Sequence, residues 1–131
     1  ETIAVDGARL AIAGSDDLGF GRDDVAAAMR GTAGADLVIL LGHTPDIIDD
    51  PHAAGADLVL CGHTHGGQIQ LRANGRLCYV SRGVASATRA RFNCHPEVAL
   101  LTLERGDETE AVEVPVRRNG SSRNAYKEAA L

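Results

Sequence analysis

Two continuous apolar runs dominate the pattern of hydrophobic and polar positions along the chain. Each begins with an acidic residue and ends at a Gly-His pair: residues 36–43 are Asp-Leu-Val-Ile-Leu-Leu-Gly-His, and residues 57–63 are Asp-Leu-Val-Leu-Cys-Gly-His. Runs of this length without alternation are typical of strands buried on both faces of a parallel sheet. A helix with proline in its first turn is predicted between them, over Pro45–Ala54. The pattern therefore predicts a βαβ unit with a right-handed crossover.

Shorter elements are predicted on the amino-terminal side of this unit. Thr2–Val5 and Ala8–Ala13 have the pattern of two short strands, and Asp6-Gly7 between them is a hairpin-type turn dipeptide. After a glycine-rich loop, Asp23 is the predicted N-cap of a helix over residues 24–30, which ends at Gly31.

Beyond residue 67 the pattern changes to short strands and turns. Gln68–Leu71 and Leu77–Val80 flank Asn74-Gly75, which is a strong hairpin signal. Glu97–Leu103 and Glu110–Val116 are predicted to form a second pair of strands.

The predicted fold class is α/β, with a mixed sheet in which the βαβ unit is followed by antiparallel strands. Residues 1–116 are predicted to form one domain. Residues 117–131 lose the apolar pattern and are predicted to be a polar tail, with at most one frayed helical turn.

The composition of the chain disfavours nucleic acid as a partner. The chain has 131 residues and a formal net charge of −5, and only 3% of its residues are aromatic, with no Trp. Proteins that bind single-stranded nucleic acid need aromatic platforms and a basic groove, so we do not expect a nucleic-acid partner.

The chain carries no signal for membrane insertion or secretion. No apolar run approaches the roughly 18 residues of a membrane span, and no signal peptide opens the sequence. We therefore expect a cytoplasmic or membrane-associated protein, and the start at Glu1 leads us to expect an upstream segment. Cys61, Cys78 and Cys94 are odd in number and widely spaced, which indicates buried thiols in a reducing compartment.

Histidines follow both apolar runs, in the segments Gly42-His43-Thr44-Pro45-Asp46 and Gly62-His63-Thr64-His65-Gly66-Gly67-Gln68. Both segments fall at the carboxyl ends of predicted parallel strands, where open α/β sheets place their binding crevices. In an extended stretch, His63 and His65 point to one side because they are two residues apart. Imidazole binds Zn, Fe, Mn or Ni, so the three histidines are able to ligate one or two ions.

The remaining histidines lack this context. A single histidine at a strand end is more often a hydrogen-bonded structural residue than a ligand, but three at two aligned strand ends favour a metal site. His52 lies in the predicted helix and is interpreted as a surface residue. His95 precedes Pro96 in a turn, and the pattern leaves both interpretations open.

Four segments in this order resemble the calcineurin-like metallophosphoesterases, and among them the bacterial branch of YkuE- and YaeI-type proteins. They are the two histidine segments, Tyr79-Val80-Ser81-Arg82-Gly83 and Arg91-Phe92-Asn93-Cys94-His95-Pro96-Glu97. The resemblance covers roughly residues 8 to 104. It implies a four-layer α/β/β/α sandwich that hydrolyses phosphoesters at a two-metal site.

The resemblance also implies that part of the site is missing from this chain. The family builds its site from five blocks, and the first three (Asp-x-His, Gly-Asp and Gly-Asn-His) are not found here. Asp16-Asp17 resembles an Asp-Asp segment that the family carries downstream of those blocks, so it is not assigned as a ligand. We therefore expect the C-terminal half of such an enzyme, with the missing N-terminal half as its partner.

The motifs assign roles by position. His43 and His63 are expected to ligate one divalent ion and His65 the other, with Mn, Fe, Zn or Ni as candidate metals and two ions in the complete site. Arg82 is expected either to meet the substrate phosphate or to form a surface salt bridge.

Other residues of the segments are candidates for supporting roles. Thr44 and Thr64 are placed to orient neighbouring ligands through their hydroxyl groups. Asp46 is expected to cap the helix after Pro45 rather than to touch metal. Arg91 and Glu97 are candidates for a structural ion pair.

The sequence leaves three functions open. The first is hydrolysis of phosphoesters by a half-domain that needs its N-terminal complement, on the same polypeptide or on another chain. The second is a non-catalytic metal-binding or interaction module, and the third is a nuclease, which the net charge of −5 disfavours. A missing half also leaves apolar surface uncovered, through which copies of the chain are able to associate.

Overall fold

A mixed six-stranded sheet is the centre of the computed structural model, which describes residues 1–64, 71–73, 76–83, 97–103 and 125–130. The strands and the α-helix are, in chain order, β1 Thr2–Val5, β2 Ala8–Gly14, α1 Val25–Ala28, β3 Leu37–Leu41, β4 Leu58–Cys61, β5 Leu71–Ala73, β6 Arg76–Val80, β7 Glu97–Thr102 and β8 Ala125–Ala130. Short 3-10 helices lie at Leu18–Phe20, Pro45–Asp49 and Pro51–Gly55.

The six-stranded sheet has the order β1-β2-β3-β4-β6-β5. Its four central strands, β2, β3, β4 and β6, are parallel, and β1 and β5 pair antiparallel to their neighbours at the two edges. The α/β class, the mixed sheet, the parallel pairing of β3 with β4 and the antiparallel pairing of β5 with β6 are therefore confirmed. The expectation that only antiparallel strands follow the βαβ unit is wrong, because β6 pairs in parallel with β4. The turn between β1 and β2 has positive φ at Asp6 and Gly7, as the dipeptide predicts.

The acidic residue that opens each apolar run has a structural role. The Asp36 carboxylate accepts a hydrogen bond from the backbone N–H of Arg9 at 2.6 Å, and Asp57 accepts one from the backbone N–H of Val38 at 2.8 Å. Each carboxylate thus satisfies a donor at the start of the neighbouring strand. These two bonds explain why the runs share their first residue.

The main core lies on one face of the sheet, where every second residue of the parallel strands points. It comprises Ala11, Ala13, Val38, Leu40, Val59, Cys61, Cys78 and Val80 of the strands, together with Val25, Ile47, Ile48, Ala53 and Ala56. Hence α1 and the two 3-10 helices that follow β3 cover the same face of the sheet.

The opposite face of the central strands is also buried, at Ile39, Leu58 and Tyr79. Both apolar runs therefore have buried residues on the two faces of the sheet, as their lack of alternation predicts, although Leu41 at the end of β3 is exposed. An open cavity of about 370 Å³ on this side is lined by Leu60 and Tyr79 of the sheet and by residues of β7, including Leu101. Strand β7 thus lies beside the carboxyl-terminal residues of β4 and β6.

The predicted helix over Pro45–Ala54 is wrong in type. The structure has two 3-10 helices there, separated at Asp50, whose ψ of 128° is extended. Pro51 is the cause, because proline has no N–H to donate and disfavours helical geometry in the residue before it. The helix predicted over residues 24–30 is confirmed as α1, but it is shorter and its N-cap is Asp24, not Asp23.

The carboxyl-terminal part of the chain differs from the sequence prediction. Residues 125–130 were predicted to lie in a polar tail, but they form β8, which pairs in parallel with β7 over Glu97–Thr102. The prediction is wrong here because strand pairing is non-local and the segment has no alternating pattern that signals it. Gln68–Gln70 and Glu110–Val116 lie outside the described residues, and the domain boundary at residue 116 stays a prediction.

Cys61 and Cys78 are buried free thiols, as predicted, and Cys94 lies outside the described residues. The pKa of the Cys61 thiol is raised, mainly by a hydrogen bond with Cys78 and to a smaller extent by burial. Both thiols belong to the core face of neighbouring strands and contribute packing there. Among the residues that the structure describes, no helix has the length and apolar character needed to span a membrane.

Candidate metal site

Polar side chains follow each of the four parallel strands at the same edge of the sheet. Asp17 lies three residues beyond β2, His43 and His63 lie two residues beyond β3 and β4, and Arg82 lies two residues beyond β6. Because parallel strands bring their carboxyl ends to one edge, these residues share that edge. The predicted convergence of the two strand ends is present.

Backbone hydrogen bonds continue between the chains past the strand ends. The N–H of Ser15 donates to Leu41 O at 3.0 Å, and the N–H of Gly62 donates to His43 O at 3.1 Å. The loops that carry the polar side chains are therefore held in the register of the sheet.

His43 and His63 are the centre of the candidate site. Their ring centroids lie 4.5 Å apart, and the ring planes are inclined by 59°. The His43 side chain is 46% exposed, so a ligand can reach it from solvent. Two adjacent, accessible imidazoles are a donor pair suited to a transition-metal ion.

The backbone at His63 is in an unusual conformation. Its φ is +63°, in the left-handed region that only a few per cent of residues other than glycine adopt. The extended stretch expected around His63 is therefore not present at this residue. Single residues in this region cluster at functional sites, where the surrounding structure holds them in place. Here the strand-end hydrogen bond from Gly62 to His43 fixes the residue just before it.

The two glycines before the histidines serve different purposes. A Cβ on Gly42 would lie 2.9 Å from both Cδ1 and Cγ2 of Ile47, a buried core residue. A Cβ on Gly62 would meet no described atom within 4 Å. Open space next to the histidine is therefore present at Gly62, whereas Gly42 is needed for packing.

Asp17 is the residue of this edge that sequence reasoning did not assign. Its Oδ2 lies 3.5 Å from Nε2 of His43, an ion-pair distance slightly longer than a hydrogen bond. The signal that could have found it is topological: Asp17 follows β2, and β2 is the parallel neighbour of β3.

Two buried hydroxyl groups lie at the same edge. Oγ of Ser15 and Oγ1 of Thr44 have no hydrogen-bond partner within the part of the chain that the structure describes. A buried hydroxyl without a partner costs about 1–3 kcal/mol. Such groups fit a site that is completed by a bound ligand or by further protein atoms.

The other supporting residues are placed as follows. Thr64 is exposed, and its N–H donates to Gly62 O at 2.8 Å. Thr44 is the N-cap residue of the 3-10 helix Pro45–Asp49 but makes no side-chain capping bond, and Asp46 lies in the first turn. The expectation that Asp46 caps this helix is therefore wrong.

The described side chains supply only part of the ligands that a metal ion needs. No group of three or more His, Cys, Asp and Glu side chains is placed to hold an ion within residues 1–64, 71–73, 76–83, 97–103 and 125–130. The predicted third histidine, His65, lies outside those ranges, as do His95 and Arg91, and the side chain of Glu97 is not described. Two imidazoles fit a metal ion that takes its remaining ligands from elsewhere.

His52 lies in the 3-10 helix Pro51–Gly55 and not in the loops that follow the parallel strands. It is exposed, as predicted, and its Nδ1 lies 3.1 Å from the carboxylate of Asp50. Its backbone N–H donates to the same Oδ1 of Asp50 at 2.7 Å, so the pair belongs to the cap of the 3-10 helix Pro51–Gly55.

Comparison with known proteins identifies three relatives. The phosphodiesterase YaeI of Escherichia coli (strain K12) is 35% identical over 85 residues, which cover 50% of this chain and 32% of YaeI. The uncharacterized metallophosphoesterase YkuE of Bacillus subtilis (strain 168) is 32% identical over 120 residues, covering 76% of this chain and 42% of YkuE. The uncharacterized protein YpbG of the same organism is 40% identical over 65 residues, covering 49% and 25%.

The matched segments span less than half of each relative. No family model matches the chain, and no solved structure matches it. The sequence similarity agrees with the motifs around the two histidines that the structure brings together. It confirms the resemblance: this chain is related to the metallophosphoesterases.

Proposed function

We propose that the chain contributes histidine ligands to a divalent-metal site that hydrolyses phosphoesters, as part of a calcineurin-like metallophosphoesterase. The observation that carries the proposal is the 4.5 Å separation of the His43 and His63 rings at the carboxyl edge of the sheet. The names of two relatives, a phosphodiesterase and a metallophosphoesterase, support the reaction class.

The proposed role of each residue follows from its place in the motifs. His43 and His63 hold one ion, His65 holds a second, and Arg82 binds the substrate phosphate. When bound, a pair of divalent ions activates water and neutralises charge on the phosphoryl oxygens. The chain's own residues bind and orient these ions, and the buried core behind them keeps the strand ends in place.

The remaining ligands are proposed to come from an N-terminal half. This half would add its own sheet and helices, so that the complete domain is a four-layer α/β/β/α sandwich. The described part already shows helical segments on one face of the main sheet and β7 on the other. Exposed apolar residues, among them Leu41 and Val98, are available to pack against added layers or a second copy.

Metal binding is the first test. We expect the 131-residue chain to bind Zn²⁺ or Ni²⁺ more tightly than Mn²⁺, because imidazoles without carboxylate ligands favour the later transition metals. His63→Asn is expected to lose this binding in titration calorimetry. Asparagine is the preferred replacement, since it tolerates the positive φ of residue 63 and separates ligand loss from backbone strain.

The matched control is His52→Ala, which removes an exposed imidazole away from the strand edge. Its binding isotherm should equal that of the wild-type chain. Equal binding by wild type and His63→Asn would remove His63 from the ligand set.

The activity of the chain alone is the second test. We expect turnover of bis-p-nitrophenyl phosphate with Mn²⁺ no faster than free Mn²⁺ gives, because the described donors cannot position two ions. Addition of the recombinant N-terminal half should produce metal-dependent turnover that His63→Asn abolishes. Metal binding without turnover in the completed protein would instead favour a non-catalytic metal-binding module.

A further inference from the structure

The contact between Asp17 and His43 has no role in the site as proposed so far. The Oδ2 atom of Asp17 lies 3.5 Å from Nε2 of His43, and the Asp17 side chain is only 20% exposed. A half-buried carboxylate beside a proposed metal ligand requires an explanation.

The position of Asp17 is set by backbone contacts and not by His43. Its Oδ1 accepts the N–H of Gly19 at 2.8 Å, as the N-cap of the 3-10 helix Leu18–Phe20, and its own N–H donates to Asp16 at 2.7 Å. One oxygen is therefore committed to the cap, and the other is left to face the histidine.

The loop that carries Asp17 is itself fixed to the neighbouring strand. Gly14 is in register with Leu41, and the N–H of Ser15 donates to Leu41 O at 3.0 Å. Since Leu41 lies two residues before His43, the distance between the carboxylate and the imidazole is controlled by the pairing of β2 with β3.

We propose that Asp17 is a positioning residue for His43. Its carboxylate favours the tautomer with the proton on Nε2, orients the ring and leaves the Nδ1 lone pair available to the metal ion. Ligating histidines in proteins almost always present their second nitrogen to such a partner, which fixes the tautomer and raises ligand basicity. This inference rests on the proposed metal site and adds a residue that the motifs leave unassigned.

The test uses Asp17→Asn. Asparagine retains the Oδ1 acceptor and is as good an N-cap as aspartate, so the 3-10 helix should persist. It replaces the acceptor facing Nε2 with an amide donor or a neutral oxygen. The matched control is Asp50→Asn, which alters the other Asp–His pair, 3.1 Å apart and away from the strand edge.

Two measurements on the full 131-residue chain are needed. Imidazole ¹⁵N shifts of the metal-free protein at pH 8 report the tautomer, and we expect the Nε2–H fraction of His43 to fall in Asp17→Asn but not in Asp50→Asn. Titration with Co²⁺, followed by its visible absorption, should show about 10- to 100-fold weaker binding for Asp17→Asn and unchanged binding for Asp50→Asn.

The outcomes separate the two proposals. An unchanged His43 tautomer and unchanged Co²⁺ affinity in Asp17→Asn would overturn the role of Asp17. Equal Co²⁺ binding by wild type and His43→Ala would overturn the proposed metal site, and the tautomer comparison would then decide on Asp17 alone. A thermal unfolding curve that matches wild type confirms that Asp17→Asn acts on the ring and not on the fold.

Discussion

Replacing Leu40 with alanine is expected to lower the free energy of unfolding by about 2–5 kcal/mol. Leu40 is 0% exposed and occupies β3 between Ala13 of β2 and Val59 of β4. The substitution removes buried apolar surface and leaves a cavity in the core face of the sheet. Domains are stable by only about 5–15 kcal/mol, so the loss is a large share of the total.

Chemical denaturation followed by circular dichroism measures this effect. The matched control is Leu41→Ala, one position along the same strand, where the side chain is 42% exposed. We expect Leu41→Ala to cost less than about 1 kcal/mol. A cost equal to that of Leu40→Ala would show that Leu41 is covered in solution, by a second copy or by a segment outside the described residues.

Substituting Gly42 with alanine is the second change with a large expected effect. The new Cβ would lie 2.9 Å from two carbons of Ile47, closer than real Cβ contacts, and Ile47 is itself fully buried. Either Ile47 or the loop before His43 must move, and overpacking of this kind costs about 1–3 kcal/mol. We expect a lower denaturation midpoint and weaker Zn²⁺ binding, because the shift reaches the neighbouring His43.

Gly62→Ala provides the paired comparison. It also precedes a histidine, but its Cβ would meet no described atom within 4 Å, so its midpoint should stay close to wild type. If Gly62→Ala were the more damaging of the two, the space beside Gly62 would have to be filled by atoms outside the described residues. The pair distinguishes glycine required by packing from glycine that leaves room for a ligand.

The sequence was informative where a local pattern has one physical outcome. The apolar runs after Asp36 and Asp57 predict strands with buried residues on both faces, and the parallel pairing of these strands brings His43 and His63 to one edge. The helix prediction failed at a proline: Pro51 interrupts the segment that the pattern predicts as one helix.

The features that were missed depend on which strands become neighbours. Asp17 is brought to His43 by the pairing of β2 with β3, in which partner residues are 27 positions apart in the chain, and no local pattern encodes that pairing. The pairing of β8 with β7 is non-local in the same way. The family resemblance assigns ligands by motif and not by position in the sheet, and therefore leaves Asp17 unassigned.

The hydrogen bonds that run past the strand ends also restrict motion at the site. The N–H groups of Gly42, Gly62 and Ser81 donate to Leu60, His43 and Cys61, respectively, so the loops around the histidines are part of the sheet's ladder. Their amides can exchange with solvent only when these inter-strand bonds open, in events that involve the sheet itself. Within the described residues, the histidine edge is therefore a stiff platform that holds the two imidazoles in place.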